Sequence, residues 1–236
     1  MQSPIDFSLV ILCYRSGKEI IAFANAAKKE VSKFSNNFEI VLVGNYIKGS
    51  NDITKDVVKE MAEQDDTFVA LCKPKEGMMG WDMREGLNQA KGNVICVIDG
   101  DGQFHIESVS TAYDHLIKGG YDLVKTYRSK RQDGSQRILI SKIYNFVFSI
   151  LFPKVAARDI NSKPKMLTRE AFSKLNLESD DWFIDAEIMI KLSKHKVKIF
   201  EFPIEFFELQ GRHSFVKFSA IFEFIKNLIR FRFKQL

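Results

Sequence analysis

The features of membrane-spanning and exported proteins are missing from this sequence. No apolar run approaches the ~20 residues that a helix needs to cross a bilayer. The first residues also lack a basic region followed by an apolar stretch, the pattern of a secretory signal. We therefore expect a chain that is neither exported nor transmembrane.

Cysteine is scarce, with three residues in 236. Cys13, Cys72 and Cys96 lie far apart in apolar, strand-like segments, without the spacing of metal ligands. His105 and His195 have no partners at ligand spacing either, and we interpret both as surface or structural residues. These absences predict buried, reduced thiols, no disulfide and a cytosolic protein.

The composition is that of an ordinary globular protein, with 45% apolar and 28% charged residues. Neither an internal repeat nor a low-complexity linker divides the 236 residues, so we expect one main domain. The net charge of +5 and the pI near 9.0 indicate an anionic partner, such as nucleotide phosphates, a membrane surface or nucleic acid. The 21 phenylalanines suggest apolar surface beyond that of a core.

Strands and helices alternate regularly in the first half of the chain. Near-continuous apolar runs such as Ile40-Val41-Leu42-Val43 are typical of strands buried on both faces. This alternation predicts an α/β fold with a mainly parallel central sheet and helices on both faces. The predicted strands are Phe7–Tyr14, Phe38–Gly44, Thr67–Lys73, Asn93–Asp99 and Asp122–Tyr127, and the predicted helices are Glu19–Phe34, Asp52–Glu63, Trp81–Ala90 and Ile106–Lys118.

The second half is less regular. A basic polar loop follows Tyr127 and leads into a strongly apolar segment that ends at Pro153. We expect an irregular stretch up to Pro164, then the elements of an elaborated single domain. These are a helix over Asp181–Lys194 and two strands over Lys198–Phe202 and Ile204–Leu209.

The segment "VIDGDGQF" delivers two carboxylates, Asp99 and Asp101, where an apolar strand ends. One interpretation is a simple turn, since Asp and Gly are common turn residues. The other is a ligand site, because the carboxyl ends of strands in an open α/β sheet form the ligand crevice. Carboxylate oxygens suit Mg²⁺ or Mn²⁺, which proteins usually share with substrate phosphates.

Six motifs in order carry a resemblance to a known family. They are "GMMGWDMREGLNQAKG", "DGDGQ", "DLVKTYR", "RDINSKPKMLTREAF", "DDWFIDAEIMIKLSKHKVKIFEFPIEF" and "GRHSFVK". Together they resemble the inverting nucleotide-sugar glycosyltransferases of the GT-A fold, in the dolichyl-phosphate mannose synthase-like branch of family 2. The resemblance covers nearly the whole chain, from Phe7 to Phe233.

The resemblance implies roles for particular residues. "DGDGQ" is similar to the family's metal-binding motif, which implies Asp99, Asp101 and Gln103 as ligands of Mg²⁺ or Mn²⁺. Asp159 and Asp185 align with acidic motif positions and are the candidate catalytic residues. The candidate contacts to the donor nucleotide and its phosphates are Asn45, Asp52, Arg128, Lys165, Arg212 and His213.

Two departures from the family pattern affect the donor site. The family's first acidic pair is replaced by "GNYIKGSND". If an acid there reads the nucleobase in the family, Asn45 or Asp52 takes that role in this chain. "SKPK" stands where the family has S-G-F-R, which places Lys165 at the position of an arginine. A lysine there keeps a point charge but loses a bidentate phosphate contact.

Two apolar segments suggest contact with a membrane. Ile221, Phe222, Ile225 and Leu228 recur at helical spacing in the C-terminal segment 215–236, opposite a mostly basic face. Such a helix either lies in a membrane interface or docks on the domain. Residues 138–152 are apolar around much of a helical circumference, and we place them within a catalytic domain spanning residues 1–214.

The sequence therefore predicts a metal-dependent inverting glycosyltransferase at the cytoplasmic face of a membrane. Its donor would be a nucleotide-diphosphate sugar and its acceptor a polyprenyl phosphate, which arrives ionised and needs no general base. One alternative acceptor is a saccharide hydroxyl, which does need a base. Another alternative is a non-catalytic module that binds nucleotide sugars or membranes. A nucleic-acid partner is not expected, because interleaved exposed aromatics are lacking.

Overall fold

The computed structural model describes residues 4–131, 135–155, 157–207 and 226–233. Strands and helices alternate through the first half of these residues, as the sequence predicts. In chain order the elements are β1 (Phe7–Leu12), α1 (Glu19–Val31), β2 (Phe38–Val43), α2 (Thr54–Gln64), β3 (Phe68–Leu71), α3 (Met79–Gln89), β4 (Val94–Asp99), α4 (Ser108–Gly119), β5 (Leu123–Arg131), α5 (Ser135–Leu151), β6 (Lys165–Thr168), α6 (Arg169–Ser173), α7 (Ile184–Leu192), β7 (Ile199–Phe206) and α8 (226–233).

The described strands form one seven-stranded sheet in the order β3-β2-β1-β4-β6-β5-β7. β1 pairs in parallel with β2 and β4, β2 with β3, and β5 with β7. β6 is antiparallel to both of its neighbours, β4 and β5. Six strands therefore run in one direction, which confirms the predicted α/β fold with a mainly parallel sheet.

Both faces of the sheet are buried, which explains the continuous apolar runs. Successive side chains of a strand point to opposite faces. Leu9 and Ile11 of β1 pack in the core beneath α1, α2 and α4, whereas Val10 and Leu12 pack in the core beneath α3, α5 and α7. All four side chains are at most 8% exposed.

The end of the sheet differs from the prediction in one respect. The two predicted strands around Pro203 are a single strand, β7, which pairs with β5 through this residue. Proline lacks the N–H that a central strand needs, but β7 is an edge strand and tolerates it. The predicted end at Leu209 lies outside the described residues.

β6 was not predicted, because four residues after a proline are too few to show a periodicity. Its antiparallel direction places its first residue, Lys165, at the edge of the sheet where the parallel strands end. Lys165 is in register with Val97 of β4 and with Lys125 of β5. The segment that precedes β6 therefore lies beside the end of β4.

Helix α5 carries two apolar faces. Tyr144, Phe148 and Phe152, at its end, are buried in the core beneath that side of the sheet. The opposite face exposes large apolar side chains, with 59% exposure at Leu139 and 66% at Phe146. The segment is thus apolar around much of its circumference, as the sequence indicates, although only one face is buried.

The described part of the C-terminal segment, α8, docks on the domain. Leu228 is fully buried, and the ring centroids of Phe231 and Phe183 lie 4.8 Å apart. The same helix exposes Ile229 and Phe233 by 45% and 70%. The predicted helix start at residue 215 and the domain boundary at 214 fall outside the described residues.

None of the helices in the described ranges has both the length and the apolar character required to traverse a bilayer.

Candidate active site

The turn after β4 presents Asp99 and Asp101 at the carboxyl edge of the sheet. The backbone N–H of Gln103 donates to Asp101 Oδ1 at 3.0 Å, so Asp101 is also a turn residue. Gly102 has a φ of +74°, a conformation that favours glycine. At Gly100 a Cβ atom would lie 3.0 Å from the carbonyl oxygen of Leu12. The turn is therefore closely fitted to the end of β1, and it leaves the Asp99 side chain 28% exposed.

Gln103 connects this turn to the end of β7. Its Nε2 donates to the carbonyl oxygen of Phe207 at 2.9 Å, and the Phe207 N–H donates to the Gln103 carbonyl at 3.2 Å. This pair of bonds fixes the far side of the turn. The amide nitrogen of Gln103 is thus occupied within the protein.

The carboxylates fit a hard divalent cation that shares its ligands with a substrate. Across the described parts of the chain, no group of three or more His, Cys, Asp or Glu side chains could hold a metal ion by itself. Asp99 and Asp101 supply oxygens, which Mg²⁺ and Mn²⁺ prefer, and both ions commonly take further ligands from phosphates. The donor set is therefore suited to a cation bound together with a diphosphate.

Arg128 and Asp159 form a bidentate ion pair beside this edge. Arg128 Nε donates to Asp159 Oδ2 at 2.7 Å and Nη2 donates to Oδ1 at 2.8 Å. The guanidinium also lies 5.3 Å from the ring centroid of Phe206. Burial opposes the charge on Asp159, but Arg128 outweighs it and lowers the pKa of the carboxyl well below its usual range.

Lys165 is buried beneath the carboxyl edge of the sheet and is not exposed to solvent. Its side chain is fully buried, and Nζ donates to Asp185 Oδ1 and to the carbonyl oxygens of Ile160 and Ser162, at 2.8 and 3.0 Å for the carbonyls. Burial lowers the pKa of Lys165 to about 8, although Asp185 acts in the opposite direction. All three donors of the ammonium group therefore have acceptors within the protein.

Asp185 lies between two lysines. Lys163 Nζ lies 3.4 Å from Asp185 Oδ2, while Lys165 binds the other oxygen. Burial opposes the charge on Asp185, but the two ammonium groups outweigh it and lower the pKa of the carboxyl. A carboxylate with a lowered pKa is a weak proton acceptor, so this arrangement favours a positioning role for Asp185.

A further ion pair, formed by Lys125 and Glu201, lies next to Asp159. Lys125 is fully buried, and its Nζ lies 2.9 Å from Glu201 Oε1 and 2.8 Å from the carbonyl oxygen of Thr126. The same ammonium group donates to the carbonyl oxygen of Asp159. Lys125 thus fixes the backbone of the residue that holds Arg128.

The two candidate nucleobase contacts differ in surroundings. Asn45 is buried, donates to Asp82 Oδ1 at 2.9 Å and accepts from the Lys73 N–H at 2.8 Å. Asp52 Oδ1 accepts the N–H of Thr54 at 3.0 Å and precedes α2. Asp52 lines an open cleft of about 520 Å³ beyond the ends of β1 and β2, together with Arg15, Ser16, Gly17, Lys18, Glu19, Asn51 and Ile53.

The structure links Asp99 to Asp185 and Lys165 through Lys163, and it pairs Arg128 with Asp159. The hydrogen bonds of Asn45 and Asp52 go to other residues. Arg212 and His213 lie outside the described residues. Sequence reasoning missed Lys163, Lys125 and Glu201. Lys163 stands two residues before Lys165, but it lies at a bend before β6, where its peptide bond to Pro164 is cis. Strand periodicity therefore offered no signal for Lys163.

Residues 8–176 match the profile of Glycosyl transferase family 2. The chain belongs to this family. The match covers β1 through α6, and so it includes Asp99, Asp101, Arg128 and Asp159.

Two curated relatives of this family 2 chain are named as transferases of undecaprenyl phosphate and dolichyl phosphate. It is 32% identical over 144 residues to an undecaprenyl-phosphate 4-deoxy-4-formamido-L-arabinose transferase of Pseudomonas syringae, covering 60% of this chain and 42% of that protein. It is 28% identical over 208 residues to a dolichyl-phosphate beta-glucosyltransferase of Trichomonas vaginalis, covering 83% and 62%. The chain therefore spans about half the length of these relatives.

The fold is that of GT-A glycosyltransferases. A glucosyl-3-phosphoglycerate synthase from Mycobacterium tuberculosis, solved with Mn²⁺, uridine diphosphate and phosphoglyceric acid, superposes with a TM-score of 0.68. The superposition covers 95% of this chain and 76% of the synthase at 15% identity. It confirms the GT-A fold expected from the sequence.

Proposed function

We propose that this protein transfers a sugar from a nucleotide-diphosphate sugar to a polyprenyl phosphate at a membrane surface. The observation that carries the proposal is the pair Asp99 and Asp101, which ends β4 at the carboxyl edge of a GT-A sheet. Ligands of open α/β sheets bind at this edge. The relatives named above act on undecaprenyl and dolichyl phosphates.

Use of a nucleotide-diphosphate sugar as donor requires stabilisation of the charge on the leaving diphosphate. As the sugar leaves its diphosphate, negative charge builds on the leaving oxygen, and catalysis requires that this charge be stabilised. A divalent cation held by Asp99 and Asp101 would supply that stabilisation. The chain itself adds the turn that orients both carboxylates, and Gln103, whose bonds to Phe207 hold the turn in place.

The choice of acceptor depends on whether Asp159 or Asp185 could take up a proton. Asp159 is bound to Arg128, and Asp185 lies between Lys163 and Lys165. Both carboxyls have lowered pKa values, so neither is suited to take a proton from a sugar hydroxyl. A phosphate acceptor is already ionised and needs no such base. The cluster therefore favours a lipid phosphate over a saccharide hydroxyl.

The outer face of α5 offers a surface for the lipid. Four large apolar residues on this face, at positions i, i+4, i+7 and i+11, are exposed by 48 to 66%. Contiguous exposed apolar side chains mark interaction sites. With the exposed Ile229 and Phe233 of α8, they support peripheral attachment to a membrane, which we place at the cytoplasmic face. The four residues on α5 are Leu139, Ile143, Phe146 and Ile150.

The experiment is a screen of nucleotide sugars for release of the nucleoside diphosphate, with Mn²⁺ or Mg²⁺ and with or without polyprenyl phosphate. We expect one donor to react, faster when the lipid phosphate is present, and excess chelator to stop the reaction. The test variant is Asp101→Asn, which removes the charge of one carboxylate of the proposed metal site and keeps the Oδ1 that accepts the Gln103 N–H. Full activity of this variant, or full activity in chelator, contradicts the proposed metal site.

A further inference from the structure

Lys163 occupies a position that the reaction described above leaves without a role. Its Nζ lies 3.3 Å from Asp99 Oδ1, 3.3 Å from Asp99 Oδ2 and 3.4 Å from Asp185 Oδ2. The Lys163 side chain is 4% exposed, whereas that of Asp99 is 28% exposed. The ammonium group therefore lies on the inner side of Asp99 and contacts both oxygens of a carboxylate assigned to the metal.

Among the residues that the structure describes, the ion pairs around Lys163 join four cationic side chains to four carboxylates, and each of these groups contacts at least one of opposite charge. A divalent ion that binds at Asp99 therefore meets a carboxylate whose charge is already compensated. The four ammonium or guanidinium groups are those of Lys125, Arg128, Lys163 and Lys165, and the four carboxylates are those of Glu201, Asp159, Asp99 and Asp185.

We propose that Lys163 is a resident cation that competes with the divalent metal for Asp99, so that the metal binds tightly only together with the donor diphosphate. This inference rests on the proposed function, which assigns Asp99 to the metal. The diphosphate brings the negative charge that a second cation at this edge requires. Lys163 would thereby make metal entry depend on donor entry.

The expected change in metal affinity follows from the repulsion between the Lys163 ammonium group and a divalent ion. A unit positive charge within a few ångströms of a divalent ion weakens its binding by about tenfold even when it is screened as in bulk water, and by more when partly buried. Removing the charge of Lys163 should therefore tighten metal binding. A residue with a purely structural role would show the opposite result, since its loss would disorder Asp99.

The experiment measures Mn²⁺ binding to the full chain without nucleotide, by electron paramagnetic resonance titration. Lys163→Met removes the charge and keeps most of the apolar length, while Lys163→Arg keeps the charge. Lys73→Met is the matched control, because Lys73 is an exposed lysine paired with Glu85 away from Asp99. Melting curves show which variants are folded, and Lys163→Gln replaces Lys163→Met if the latter is not.

We expect Lys163→Met to bind Mn²⁺ about tenfold more tightly than the unsubstituted chain, with Lys163→Arg and Lys73→Met unchanged. In an Asp99→Asn background, Lys163→Met should have no effect. Uridine diphosphate, used as a diphosphate probe, should tighten Mn²⁺ binding to the unsubstituted chain more than to Lys163→Met.

Unchanged, weaker or unmeasurable Mn²⁺ binding by the uncharged variant overturns the inference. So does a tightening that persists in the Asp99→Asn background. Release of nucleotide from the donor is a separate readout. Turnover with no gain in Mn²⁺ affinity refutes the role of Lys163 alone, and a gain in affinity without turnover refutes the proposed function alone.

Discussion

Replacing Asp185 with Asn tests the buried charge cluster beneath the site. Asp185 is 1% exposed and binds the ammonium groups of Lys163 and Lys165. Asn keeps the shape of the side chain and removes its charge. The substitution leaves Lys165, which is fully buried, without a carboxylate partner.

The expected loss of stability is large. Breaking a buried ion pair by removing one partner costs about 3–5 kcal/mol, because the remaining charge is buried without compensation. For a chain of this size, 1 kcal/mol corresponds to about 2–4 °C in melting temperature. We therefore expect Asp185→Asn to lower the melting temperature by about 6–20 °C at pH 7.

The loss should also depend on pH. Burial lowers the pKa of Lys165 from 10.5 to about 8 in the folded chain, and without Asp185 it falls further. Between the folded and unfolded values the unfolded chain binds more protons, so stability rises with pH. In the variant Lys165 is neutral at pH 9, and the deficit relative to the unsubstituted chain should be smaller there than at pH 7.

The assay is a set of melting curves of both chains at pH 7 and pH 9. Asp114→Asn is the matched control, because Asp114 forms an exposed pair with Lys118 one helical turn away. Such a pair contributes about 0.3–0.5 kcal/mol, so its loss should be barely detectable. A loss below about 1 kcal/mol for Asp185→Asn, or an equal loss at the two pH values, would show that Asp185 does not compensate the buried charge of Lys165.

Four further substitutions have distinct expected outcomes. Asp101→Asn should abolish nucleotide release while the melting temperature stays within about 2 °C, since Asn keeps the Oδ1 that accepts the Gln103 N–H; a large loss of folding would show a structural role instead. Arg128→Ala should lower the free energy of unfolding by about 3–5 kcal/mol at pH 7, because it leaves the buried carboxylate of Asp159 without its guanidinium partner. Because the pKa of that carboxyl is lowered, the deficit should shrink as the pH falls below its ordinary value of 3.8, and urea titrations at pH 7 and 3 check this. Phe146→Ser should reduce sedimentation with anionic liposomes without lowering the melting temperature, whereas Phe148→Ala on the buried face should cost about 3–5 kcal/mol; unchanged liposome binding by Phe146→Ser would remove α5 from the membrane contact.

The sheet and the end of β4 could be predicted from local patterns. β4 is an apolar run that ends in Asp99, and the parallel order follows from alternating strands and helices. The two interpretations of "DGDG" are compatible, because Asp101 is a turn residue and also lies at the carboxyl edge. A pattern confined to a few residues was sufficient here.

The cluster beneath the site could not be predicted in the same way. It depends on β6, whose antiparallel direction brings Lys163 and Lys165 beside β4 and β5. Lys125 pairs with Glu201 across 76 residues of sequence, and Lys163 with Asp99 across 64. Lysines are rarely buried unless paired, and the partners are known only once the strand order is known.

The sequence left the C-terminal segment open between membrane interface and domain core, and it indicated only that residues 138–152 are apolar around much of a helical circumference. The sequence showed that both segments have a broad apolar surface. It did not show which of their apolar side chains are buried and which are exposed. In α5, Phe148 is buried in the core and Phe146 is exposed. In α8, Leu228 is buried and Phe233 is exposed. Each helix therefore combines a docked face with an exposed apolar one.

Transfer of labelled sugar into a solvent-extractable lipid tests whether this chain glycosylates a polyprenyl phosphate. The donor identified by nucleotide release is incubated with the chain, Mn²⁺ and a polyprenyl phosphate, with a saccharide acceptor in a parallel reaction. We expect label in the lipid phase that depends on the polyprenyl phosphate and is lost in Asp101→Asn. Label that enters only the saccharide, or nucleotide release that the lipid phosphate leaves unchanged, would contradict this expectation.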